Sequence, residues 1–195
     1  MIFAASLELR RTRSLATVFA LLIACGVATT AASDRVSHVH VGDRDLKALI
    51  ERGLAGSATF RSIVDRLDAA PIQVFVGCDS FMPEGLSGRL NFVSSVGGVR
   101  YVQVIIRCWP LTRRQLSFLA HELQHALEIA TNSEIADADS MESYYADVGF
   151  QTFIDGVHRG FETDAAIAVQ NQVDREMNEK PPRPDDGTGA REATP

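Results

Sequence analysis

The sequence predicts an α+β fold: a small, mostly antiparallel sheet packed on one long helix, with further helices around it. Three observations lead there. Branched and aromatic runs cluster between residues 72 and 108 instead of alternating with helices along the chain. Two of these runs flank Gly97-Gly98, a dipeptide that supplies the positive φ angles of a tight hairpin. Immediately afterwards Leu116, Leu119, Ala120, Leu123, Leu127 and Ala130 recur at helical spacing.

Each element has its own local signal. Asp43 to about Leu54 carries Leu46, Leu49 and Ile50 on one helical face, and Ala58 to about Ala69 carries Phe60, Ile63, Val64 and Leu67. Gly53 and Gly56 separate these two helices, and Pro71 follows the second. Ile72 to Gly77 alternates as a strand does, and Leu90–Ser95 and Val99–Cys108 are two more β-rich runs. Pro110 marks the break before the long helix, which Thr112 and Gln115 open in capping-box spacing. After a polar stretch from Thr131 to Asp139, Met141–Phe153 and Glu162 to about Met177 are predicted as two further helices.

Composition narrows the function. With 195 residues, 46% of them apolar and 23% charged, the chain supports one domain with its own core. A metal would then serve chemistry more than folding. The net charge is −6 although the first 33 residues hold Arg10, Arg11 and Arg13 against Glu8. An acidic body without a basic stripe excludes nucleic acid as a partner. Nothing after the leader is apolar for long enough to span a bilayer.

Residues 1–33 read as an export signal, with the arginines first, then the apolar Leu15–Ala24, then Ala31 and Ser33 placed for cleavage before Asp34. Leu22-Ile23-Ala24-Cys25 resembles a lipobox, which would instead acylate Cys25 and tether the domain to a membrane. The leader therefore predicts a periplasmic, secreted or lipid-anchored protein; Arg10-Arg11 adds only a faint twin-arginine hint. Residues 34–177 form the expected domain, and the Pro-, Gly- and charge-rich 178–195 a disordered tail. Cys78 and Cys108 close predicted strands, which allows a disulfide or two separate buried thiols.

His121-Glu122-Leu123-Gln124-His125 is an HExxH motif inside the long helix. Residues four apart share a helix face, so both imidazoles can reach one ion, and zinc accepts imidazole nitrogen at roughly 2.0–2.1 Å. Glu122, beside the first histidine, is the candidate catalytic base toward a water on that ion. Short motifs also arise by chance, but this one sits in a capped, amphipathic helix after a β-rich segment.

The motif, together with SATFRSIVDRL (57–67), LAHELQHALEIA (119–130) and GFETDAA (160–166), resembles the zincin metallopeptidases. More narrowly, it resembles short exported bacterial HExxH proteins over about residues 45–175. Glu128 and Thr131 stand where a metzincin needs Gly and His, so the resemblance is to the gluzincin type, with an acidic third ligand on a later helix. Glu162-Thr163-Asp164-Ala165 is similar to the E-x-[DE]-A segment of such families, although Ala166 departs from the thermolysin-like pattern. Glu162 is thereby the candidate third ligand, and Asp164 a candidate carboxylate behind a histidine. An acid at a helix N-terminus is also favoured by the dipole alone.

The resemblance implies a minimal zincin-like fold, a zinc cofactor, and a peptide or protein substrate, with no obligate partner evident. It makes Val99–Arg107 the expected edge strand along which a substrate would lie. Two rival readings keep the same residues: a non-catalytic exported or membrane-tethered protein with a vestigial or structural metal, and hydrolysis of a non-peptide amide. His158, Glu128 and Glu142 have solvated-surface readings as well as functional ones. His38 and His40 read as exposed bystanders, and Tyr144 and Tyr145 fall in the region that could face a substrate.

Overall fold

A computed structural model describes residues 37–108, 111–154 and 158–179. The expected export signal with Cys25, Pro110 and the expected tail from residue 180 lie outside the described residues. The chain begins with β1 (Val39–Val41) and two helices, α1 (Arg44–Gly56) and α2 (Ala58–Asp68). Asp43 caps α1 by accepting from the Asp45 and Leu46 N–H groups at 2.9 and 2.8 Å. Ser57 caps α2 by accepting from Phe60 N–H at 3.0 Å.

Three strands follow, β2 (Ile72–Asp79), β3 (Gly88–Val96) and β4 (Val99–Arg107). Gly97 and Gly98 turn β3 into β4 with φ of 60° and 81°, as the dipeptide predicts. The spatial order is β1-β2-β4-β3, and both β1–β2 and β2–β4 run parallel. Only β3 pairs antiparallel, with β4. The α+β class stands, but this sheet is mixed and not mostly antiparallel. The reason is topological: after β2 the chain passes to the outer position, lays down β3, and hairpins back so that β4 enters beside β2. The expected edge strand Val99–Arg107 is thus interior, and the edges are β3 and the short β1.

Ile72, Val74, Val76, Val102, Val104 and Ile106 project to one face of the sheet and are buried there. Against them lies α3 (Arg113–Thr131), which also packs on α2 and α5. Its first turn is held by Gln115, whose side chain accepts the Thr112 N–H at 3.0 Å. Leu116, Leu119 and Leu123 of α3 are fully buried, each contributing roughly 1.5–3 kcal/mol of transfer free energy. The central helix therefore sits in the core, and side chains projecting from it are held in place.

Past α3 the structure departs from the expected helices. α4 (Ala138–Val148) stops at Gly149, and β5 (Phe150–Ile154) pairs antiparallel with β6 (His158–Glu162) before α5 (Asp164–Asn178) begins. A Cβ on Gly149 would lie 2.7 Å from the Glu162 carbonyl oxygen and 2.9 Å from that of Tyr145. Glycine lets strand β6 close against the end of α4. Glu162 consequently ends a strand and does not open a helix; Thr163 caps α5 by accepting from Ala166 N–H at 3.1 Å.

Cys78 and Cys108 form a disulfide, with Cα atoms 5.4 Å apart. Beside it, Arg107 holds the β2–β3 loop by donating from Nε and Nη2 to the Leu86 carbonyl at 3.2 and 3.0 Å. Among the described residues no helix is long and apolar enough to cross a membrane.

Candidate metal centre

His121 and His125 project from the same face of α3, one turn apart, each 6% exposed. The β5–β6 hairpin brings Glu162 opposite them. Its Oε2 lies 2.7 Å from His121 Nε2 and 3.9 Å from His125 Nε2, and the two Nε2 atoms are 3.2 Å apart. Two ligands at roughly 2.0–2.1 Å from a tetrahedral ion stand about 3.3 Å from each other. The three separations bracket that value. Donor atoms of His121, His125 and Glu162 all fall within 4.8 Å of one another, so this buried group could hold a metal ion.

The hydrogen bonding fits the same use. Glu162 Oε2 is buried without a hydrogen bond among the described residues, although it is close enough to His121 Nε2 to form an ion pair. Buried acceptors are ordinarily satisfied, and a cation at this point would satisfy this one. Two imidazoles and one carboxylate form a mixed nitrogen and oxygen donor set of the kind that divalent metal ions accept.

Charge in the cluster favours a cation. Burial weakens the His125 imidazolium, yet the Glu128 carboxylate that accepts from its Nδ1 and the nearby Glu162 carboxylate outweigh it and hold His125 up at about 9. Burial pushes the Glu162 carboxyl upward, but His121 and His125 bring it down to about 2. Glu122 is different: it is 8% exposed, and its burial raises it to about 7 against the pull of both histidines. A carboxyl poised there can exchange a proton near neutrality. Gly88, the first residue of β3, gives it room, for a Cβ there would lie 2.5 Å from Glu122 Oε1.

Glu122, His125 and Glu162 line a cleft of about 420 Å³. One wall is the start of edge strand β3, from Gly88 to Asn91; the other is built by Met141, Glu142 and Tyr145 of α4 and by Phe161. Tyr145 is buried and donates its hydroxyl to the His125 carbonyl at 3.1 Å, which commits it to the helix instead of a substrate. Glu142 is exposed on the cleft wall.

Other candidates are redistributed. Asp164 is exposed in the first turn of α5, and the carboxylate behind a histidine is Glu128, whose Oε2 lies 2.9 Å from His125 Nδ1. The signal for it was available, since residues three apart share a helix face. His158 opens β6, and its side chain lies outside the described residues. His38 and His40 are half-buried and not bystanders: His38 Nδ1 meets the Leu67 and Ala70 carbonyls at 3.0 and 3.1 Å, and His40 Nε2 lies 2.6 Å from Gln73 Oε1. Set against protein-family models, curated proteins and solved structures, the chain finds no match.

Proposed function

We propose that the chain is a zinc-dependent hydrolase, a metallopeptidase that cleaves peptide bonds with Glu122 as general base. The observation that carries this reading is the convergence of His121, His125 and Glu162 at tetrahedral-edge distances, with a buried Glu122 beside them in one cleft. Zinc, when bound, supplies a Lewis acid that acidifies a water and polarises a carbonyl. The chain supplies the rest. Glu122 takes a proton from the attacking water and passes it to the leaving amine, and Gly88 keeps its carboxylate seated against β3.

Edge strand β3 favours a peptide over another amide, because among the described residues no strand pairs with its outer side and it lines the cleft. The positive-then-apolar leader supports export, and the Cys78–Cys108 bridge suits an oxidising compartment. The test is hydrolysis of a peptide library by the full chain loaded with zinc, compared with Glu122→Gln and with chelated protein. Cleavage should vanish on chelation and fall steeply in the variant. Undiminished cleavage by Glu122→Gln excludes this mechanism, and a zinc-loaded chain that cleaves nothing favours a structural metal.

A further inference from the structure

Glu128 has both carboxylate oxygens engaged, and each leads to a different metal ligand. Oε2 accepts from His125 Nδ1 at 2.9 Å. Oε1 accepts from Thr163 Oγ1 at 2.8 Å and from Gln124 Nε2 at 3.4 Å. Thr163 directly follows Glu162 and caps α5, so this one side chain ties the histidine helix to the junction that carries the third ligand. The Glu128 side chain is only 11% exposed. Among the described residues His121 has no such support, its Nδ1 being buried without a hydrogen-bond partner.

We propose that Glu128 is a positioning residue that sets His125 and Glu162 together for metal binding. The inference rests on the metal-centre reading above and adds to it the part that orders the site. A carboxylate at Nδ1 keeps the proton on that nitrogen and leaves the Nε2 lone pair facing the ion. The bond to Thr163 holds the end of β6 at a fixed distance from α3. Because Thr163 Oγ1 also accepts the Ala166 N–H, the hydroxyl has one orientation that serves both partners, and it points its proton at Glu128. An ion pair that merely stabilised the fold would lack this division between two ligands.

Zinc alone is the probe, and its dissociation constant from the full chain is measured by competition with a chromophoric chelator. Glu128→Gln should bind zinc about 10- to 100-fold more weakly, and its cobalt-substituted form should show a shifted visible absorption band. Thr163→Ser, which keeps both hydrogen bonds, should stay near wild type in both measurements. Zinc affinity of Glu128→Gln within about twofold of wild type, with an unchanged cobalt spectrum, overturns the proposal while leaving the metal centre standing. A wild-type chain that takes up no zinc overturns the metal-centre reading and this inference with it. If Glu128→Gln does not fold, nitrogen NMR of zinc-loaded wild type decides: a His125 Nδ1–H protected from exchange supports the proposal, and a freely exchanging one refutes it.

Discussion

The metal centre lies between two walls, the one that carries the histidines and the one that carries Glu162, and they are built differently. α3 is capped, buried along its length and carries His121, Glu122 and His125 on a helix whose neighbours are fully buried leucines. The opposite wall is a two-stranded hairpin of five-residue strands joined to α4 through Gly149. A hairpin of that size is marginal by itself and takes its position from what it packs against. The helix wall thus presents its donors rigidly, while the placement of Glu162 depends on tertiary fit.

Substitutions can disable either wall separately. The largest effect should come from the ligands: His125→Ala and Glu162→Gln should each weaken zinc binding by more than the roughly 10- to 100-fold that losing a supporting carboxylate costs. Equilibrium competition with a chelator reads this, and an unaffected Glu162→Gln would remove the hairpin from the site. On the helix wall, Glu122→Gln should keep the metal yet cut peptide hydrolysis by about 10²- to 10⁴-fold. Gly88→Ala sharpens the same point, because the added carbon displaces the Glu122 carboxylate and not a ligand. Its hydrolysis should drop by about 10²-fold with zinc content unchanged.

On the hairpin wall, Gly149→Ala sets a side-chain carbon against two backbone carbonyls that cannot swing away. It should destabilise the fold by about 1–3 kcal/mol in denaturant titration and loosen zinc binding as well. A Gly149→Ala chain with wild-type stability would show that β6 does not press on α4 as described.

The smallest effect concerns Glu176, which anchors α5 to the start of α2. Burial pushes its carboxyl up, but hydrogen bonds from Ser57, Gln172 and Thr59 bring it from 4.5 down to about 2. A depressed carboxylate stabilises the fold above its unfolded value and loses that contribution as pH falls through the folded one. The melting temperature of wild type should therefore fall between pH 4.5 and about 2 by more than that of Glu176→Gln. Parallel acid limbs for the two proteins would contradict the anchor.

The two walls also differ in how far they could be read from residues alone. α3 was legible because its signals are local: a capping pair, an apolar stripe and a motif, all within one helix. The hairpin was not. Met141–Phe153 keeps a helical pattern through Gly149, and the reason for that glycine is a strand about a dozen residues later that only the folded chain brings near. Glu162 was reached through a motif resemblance, yet assigned to the wrong element, although Thr163 and Asp164 mark the next helix start by themselves. Strand order was equally hidden. β1 has three residues, too few for an alternation to show, and no local feature says that β4 would slip between β2 and β3.

Whether the site holds zinc is decided by metal content, measured by mass spectrometry on the full chain purified without chelator, beside a His121→Ala variant. About one zinc per wild-type chain, and essentially none in the variant, is expected. A folded wild-type chain that carries no zinc and takes none up when it is offered would contradict a zinc site.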